Sequence, residues 1–392
     1  MTPGEGTNSA CAHLLIVDDL EVNRDLLARR VRKLGHTVVF AENGREALER
    51  LAAETVDLVL LDITMPDMDG YEALSRMKSD PALAHIPVVM VTAIDGVESV
   101  VRCLEMGADD YVTKPFNPVI LRARIESSLA KKRAADLTQK LLQALSREMA
   151  IAQRIQLGFL PEKMPVLAGW GIAASCVPAK QVSGDFFDAL ILPSGNLAFT
   201  VADVCDKGVG AALYMALFRS LLRAIACEGG ADEAPGDTLR RTVAFTNDYI
   251  ATVHGRENMF ATVFTAILDP ASGRMDYINA GHDAPMIRRG DSGELQRLPP
   301  DGLAVGMMQG IVHEVRTIEL KPGDALFAYS DGLTEAIGAG GPFGEERVTE
   351  ALLGAGSDAA ALIAGIGAEL ATHVGDNEQH DDVTMFCLAA EP

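Results

Sequence analysis

From residue 12 to about 130 the chain switches repeatedly between two hydrophobic periods. The apolar runs "HLLIVDD", "TVVFA", "DLVLLD", "PVVMVTA" and "DYVTKP" alternate with stretches such as "NRDLLARRVRKLG" and "VESVVRCLEMG", whose apolar residues recur every three or four positions. Strand followed by helix, five times over, predicts an α/β doubly wound five-stranded parallel sheet. Right-handed crossovers bring the carboxyl ends of its strands to one edge. That edge would carry Asp18 and Asp19 after the first strand, Asp62 after the third, Thr92 after the fourth and Lys114 after the fifth.

Singly, these residues read as turn caps, a core threonine and a surface lysine. Together at a switch point they have a chemical logic. Adjacent carboxylates repel unless a hard cation lies among them, and Mg²⁺ accepts a few carboxylates while keeping positions for phosphate oxygens. Asp62 can then act as a nucleophile toward phosphorus, with Lys114 and the Thr92 hydroxyl stabilising the acyl phosphate.

The set "VDD", "LDITMPDMDG", "VTA" and "KPF" resembles the receiver domains of two-component response regulators over residues 12–130. The resemblance implies Asp62 as phosphoacceptor, Asp18, Asp19, Asp62 and Thr64 around Mg²⁺, Thr92 as switch hydroxyl, Tyr111 as mobile aromatic and Lys114 as phosphate-contacting cation. It further implies a cis bond before Pro115 and a sensor histidine kinase or phosphotransfer protein as donor.

Beyond the receiver, residues 119–157 contain neither Pro nor Gly, which predicts one long helix in a linker spanning 131–168. Leu142, Leu145, Met149, Ala152, Gln156 and Phe159 follow spacings of three and four, the seam of a coiled coil joining a homodimer; a helix packed on its own domains fits equally well.

A formal charge of -21 and a pI near 4.7 argue against direct contact with nucleic acid or anionic lipid. "AKKRAAD" at 130–136 reads as a solvated helix face, and no apolar run suggests a membrane span. Residues 1–11 lack a leader pattern and are expected to be disordered. Six scattered cysteines suit free thiols in a reducing compartment, so a cytoplasmic location is expected.

Residues 169–392 look different. Runs such as "GIAASCVP", "DFFDALIL", "LAFTVADV" and "VTMFCLA", joined by tight turns, predict an α+β fold with an antiparallel β-sandwich flanked by helices. Acids recur at strand ends: Asp185, Asp188, Asp203, Asp331, Asp381 and Asp382. Carboxylates beside glycines, without a Cys or His set, favour a pair of Mg²⁺ or Mn²⁺ ions, which activate a bridging water for attack on phosphorus.

The ordered motifs "FLPE", "VSGDFFD", "DVCDKGVGAAL", "NAGHDAP", "YSDGLTEA" and "DDVT" resemble bacterial PPM-type serine/threonine phosphatases of the SpoIIE-like class. The resemblance implies Asp185 bridging two metals, Asp203 with the Val204 carbonyl completing one site, and Asp331 with Asp381 the other. Asp188 and Asp382 are second choices, and His282 is either a catalytic residue or a hydrogen-bonded loop histidine. It also implies a phosphoserine or phosphothreonine protein as substrate, typically a STAS-domain antagonist of an anti-sigma factor. One departure stands out: Cys205 and Asp206 fill places where the family has Ser-Gly. Asp tolerates left-handed backbone, so the turn can survive, but a phosphorylation-gated adaptor with a weak or inactive phosphatase domain remains the alternative. A DNA-binding output is a third choice, disfavoured by the acidic C-terminal half.

Overall fold

The computed structural model describes residues 11–93, 97–354 and 358–391. The expected disordered start therefore lies, apart from Cys11, outside the described residues. The chain divides into two compact units, Met1–Leu145 and Ser146–Pro392.

The first unit follows the sequence pattern. β1 (His13–Val17), α1 (Glu21–Lys33), β2 (Thr37–Ala41), α2 (Gly44–Ala53), β3 (Leu58–Asp62), α3 (Gly70–Ser79), β4 (Val88–Thr92), α4 (Val97–Glu105) and β5 (Asp110–Thr113) lead into α5 (Pro118–Leu157). All strands pair in parallel in the order β2-β1-β3-β4-β5. Every residue of β3 and β4 is buried, which is why they read as unbroken apolar runs. Leu27, Val31, Leu121, Ile125 and Leu129 pack on one face; Leu51, Leu74, Met77 and Cys103 pack on the other. Asn43 caps α2 and Asp69 caps α3, each side chain accepting the amide three residues on.

The helix after β5 runs on without a break to Leu157. Leu142 and Leu145 of the proposed seam are exposed, at 62% and 56%. Gln156 is buried within its own chain, so the last turn of that seam is occupied internally.

The second unit comprises β6 (Trp170–Val177), β7 (Phe186–Ile191), β8 (Leu197–Val204), α6 (Val209–Cys227), α7 (Pro235–Val253), β9 (Ala261–Leu268), β10 (Arg274–Ala280), β11 (Met286–Arg288), β12 (Leu295–Arg297), β13 (Arg316–Glu319), β14 (Ala325–Tyr329), α8 (Asp331–Glu335), β15 (Ile337–Gly338), β16 (Gly341–Pro342), α9 (Gly344–Gly354), α10 (Ala359–Val374) and β17 (Val383–Ala390). Two antiparallel sheets form, β13-β10-β9-β8-β7 and β12-β11-β14-β17-β6. Phe199 stacks on Phe386 between them, with centroids 4.9 Å apart. α6 and α7 cover the outer face of the first sheet, and α9 and α10 that of the second.

The expectation that no apolar run suits a membrane needs correction. α6, 19 residues with mean hydropathy 1.4, is long and apolar enough to cross one. Here it turns Met215, Phe218 and Leu222 into the domain core and pairs Arg219 and Arg223 with Asp188, which accounts for its composition.

Candidate functional site

In the first unit, β1 is followed at once by Asp18 and Asp19 and β3 ends on Asp62, and carboxylate oxygens of all three lie within 4.8 Å of one another. Lys114, just past β5, donates to Asp18 Oδ2 and Asp62 Oδ2, both at 2.8 Å. The other oxygens are held too: Asp18 Oδ1 accepts from Leu20 N and Asn23 Nδ2, and Asp62 Oδ1 from Ile63 N. Burial pushes the Asp62 carboxyl up; Lys114 opposes this and Asp18 adds to it. Thr92 is buried at the end of β4, its carbonyl accepting from Lys114 N at 2.7 Å. The Lys114–Pro115 bond is cis, as expected. Tyr111 is half-buried, with the Arg124 guanidinium 5.8 Å from its ring centroid. Thr64 sits exposed in the turn after β3.

The turn "MPDMDG" has a steric reason to end in glycine. A Cβ on Gly70 would lie 2.1 Å from the Asp62 carbonyl oxygen, so α3 can begin hard against the acid only without a side chain.

In the second unit the acids come from both sheets. Asp185 precedes β7, Asp203 lies near the end of β8, Asp331 opens α8 directly after β14, and Asp381 and Asp382 precede β17. Asp185, 2% exposed, lies beside Asp203 and accepts from the Ser330 hydroxyl at 2.5 Å. Burial and the Asp203 charge hold it well above the usual carboxylate range. Burial, with Asp331, Asp381 and Asp382 nearby, pushes Asp203 up to about 7. Asp331, Glu335 and Asp381 form a second group within 4.8 Å, and burial and Asp381 raise Asp331. All these donors are oxygen, and buried carboxylates held this high are relieved by a hard cation. The residues therefore fit Mg²⁺ or Mn²⁺.

Asp382 and Asp188 are engaged differently. Asp382 accepts from Ala179 N and Gly184 N at 2.8 and 2.7 Å, tying the loop before Asp185 to the start of β17. Asp188 accepts from Arg219 and Arg223. His282, 1% exposed, shares a 2.9 Å hydrogen bond with Thr262, which pairs with Asp203 across the sheet; burial lowers it to about 4, so it is neutral at pH 7. The departing turn holds: Asp206 takes φ 72°, and its carboxylate accepts from Lys207 N at 2.8 Å. A Cβ on Gly332 would fall 2.0 Å from the Asp382 carbonyl, repeating the steric logic of Gly70.

Three participants escaped the sequence reading. Glu335 lies one helical turn after Asp331, a spacing visible in "DGLTE". Lys207 donates to Asp381 Oδ2 at 2.8 Å. Gln156 donates to Ser183 O at 2.6 Å and accepts from Ser183 N at 2.9 Å, clasping the backbone two residues before Asp185; no local pattern announces it.

These features define a signalling chain that joins a receiver-type sheet to a sandwich of the PP2C kind. Residues 193–391 match the family described as Stage II sporulation protein E (SpoIIE), and the chain belongs to it; residues 14–126 match the response regulator receiver domain. Protein IcfG of Synechocystis sp. is 38% identical over 277 residues, covering 64% of this chain and 43% of that protein. Response regulator PleD of Caulobacter vibrioides is 40% identical over 141 residues, covering 36% of this chain and 31% of that one. The chain thus spans less than half the length of each. The SiaA-PP2C domain of Pseudomonas aeruginosa superposes with a TM-score of 0.55 at 20% identity, over 64% of this chain and 98% of that domain, a likeness of fold.

Proposed function

We propose that this chain is a cytoplasmic response regulator in which phosphorylation of Asp62 controls a metal-dependent protein serine/threonine phosphatase. The observation that carries the reading is the gathering of Asp185, Asp203, Asp331 and Asp381 from the strand ends of both sheets. Membership of the SpoIIE family supports it. Asp185 and Asp203, with the Val204 carbonyl, would hold one Mg²⁺ or Mn²⁺, and Asp331 with Asp381 the other, Asp185 serving both. Such ions supply an activated water for attack on phosphorus. The chain's part is to fix the ligands: Ser330 orients Asp185, Asp382 anchors the loop leading to it, and Glu335 adds a carboxylate beside Asp331.

The substrate is a phosphoserine or phosphothreonine protein, of the STAS-domain antagonist class by family resemblance. In the receiver, Asp18, Asp19, Asp62 and Thr64 would hold Mg²⁺, Lys114 and Thr92 contact the acyl phosphate, and Tyr111 changes rotamer. A histidine kinase or phosphotransfer protein is the donor, and α5 pairs two copies through Leu142, Leu145 and Met149. The test is p-nitrophenyl phosphate turnover with Mn²⁺. Asp185→Ala should cost orders of magnitude in rate, since ligand loss removes metal position and activated water together. Retention of more than about a tenth of wild-type turnover would sink the two-metal assignment.

A further inference from the structure

We infer that Lys207 is the phosphoryl-contacting residue of the second unit, an assignment that rests on the phosphatase reading and names the group that meets the substrate. Its ammonium lies 2.8 Å from Asp381 Oδ2 and 2.9 Å from the His380 carbonyl oxygen. Among the described residues it is the one Lys or Arg ion-paired with Asp185, Asp203, Asp331, Glu335, Asp381 or Asp382. Together those six carboxylates carry more negative charge than two divalent cations neutralise, so a phosphomonoester dianion approaching them needs a further positive group. Lys207 supplies it.

Reach decides the position. An ammonium already against a carboxylate oxygen that could ligate a cation would stand beside a phosphoryl group held at that cation. Were Asp381 to hold a cation through that oxygen, its pull on Lys207 would weaken and the ammonium would be free to turn to an incoming anion. The side chain has room to turn, being 44% exposed. Its base does not move with it. Lys207 stands between Asp206 and Gly208, both in left-handed backbone at φ 72° and 87°, and its amide is held by the Asp206 carboxylate. Asp381, Asp331 and Asp382 are the acids that act on its ammonium, and among the described residues no second Lys or Arg is ion-paired with them.

The experiment uses the full chain, with Lys207→Met and Lys207→Arg compared with wild type. Titration calorimetry reads Mn²⁺ binding alone, then inorganic phosphate binding at saturating Mn²⁺; kcat and KM for p-nitrophenyl phosphate are measured in parallel. Lys207→Met should weaken phosphate binding tenfold or more and raise KM, with Mn²⁺ binding equal to or tighter than wild type, and Lys207→Arg should restore most of the loss. Phosphate binding within twofold of wild type in Lys207→Met overturns the assignment. So does a loss of phosphate binding that merely follows a loss of Mn²⁺. Phosphate affinity is read as heat, so it stands even if the wild-type chain hydrolyses nothing, an outcome that would count against the phosphatase reading alone.

Discussion

The clasp between Gln156 and Ser183 invites a direct test. Gln156 is 8% exposed and Ser183 3%, so replacing Gln156 with Leu removes both hydrogen bonds and leaves an amide and a carbonyl buried without partners. Each such group costs about 1–3 kcal/mol, which water entry partly relieves; about 2–4 kcal/mol of local stability is at stake. The loss falls on the segment that sets Asp185, because Ser183 Oγ bonds both the amide and the carbonyl of Asp185. If some 1.4 kcal/mol of it is felt by the metal-holding conformation, Mn²⁺ binds about tenfold more weakly. Gln156→Glu keeps the acceptor for Ser183 N but sets a buried carboxylate against the Ser183 carbonyl, and should cost at least as much as Leu at neutral pH, recovering as pH falls and the carboxyl takes a proton. Thermal melts and Mn²⁺ calorimetry on the full chain read the two effects. A Leu variant with wild-type melting and Mn²⁺ affinity would refute the reasoning, since the clasp would then hold nothing in place.

Other outcomes follow from the same geometry. Asp62→Asn should abolish acid-labile labelling by acetyl phosphate and Mg²⁺, and undiminished labelling would remove Asp62 as phosphoacceptor. Four residues inserted near Ala144 rotate the downstream helix by about 40° while preserving helicity; phosphorylation should then stop affecting phosphatase rate although each domain stays active, and unchanged regulation would mean another route. Asp203, at about 7 in the fold against an ordinary 3.8, binds its proton more tightly folded than unfolded. Without metal, that group's destabilising contribution is therefore greatest above pH 7 and fades as pH falls below it. Mn²⁺ should accordingly raise the melting temperature more at pH 8 than at pH 6, and the reverse order would contradict the assignment.

The receiver was legible almost whole because strands buried on both faces leave continuous apolar runs, and its acids sit at their ends. The sandwich was legible only in its long strands. β11, β12 and β13 have three or four residues and carry Arg288, Arg297 and Arg316, so no alternation marks them. α9 begins and ends in glycine, which reads as loop. The candidate metal-holding acids could be named because Asp185 and Asp331 adjoin glycines and all four stand at or near strand ends, but their engagement could not. Nothing local tells that Asp382 serves backbone amides while Asp381 faces Lys207. Gln156 shows the limit most clearly: its spacing placed it on a helix seam, and a partner 27 residues away claimed it.

The middle of α5 has a thermal consequence. Residues 137–148 are exposed on every side, so in a single chain this stretch is held by its own backbone hydrogen bonds and gains no packing energy. Its two ends are anchored, by Leu121, Ile125 and Leu129 at one and by Gln156 at the other. On warming, such a segment frays before either anchored end lets go. Where α5 is unpaired, the proposed communication from Asp62 to the acids of the second unit would then have a melting point of its own, below that of either domain, leaving a hot protein whose two ends still fold but are deaf to each other.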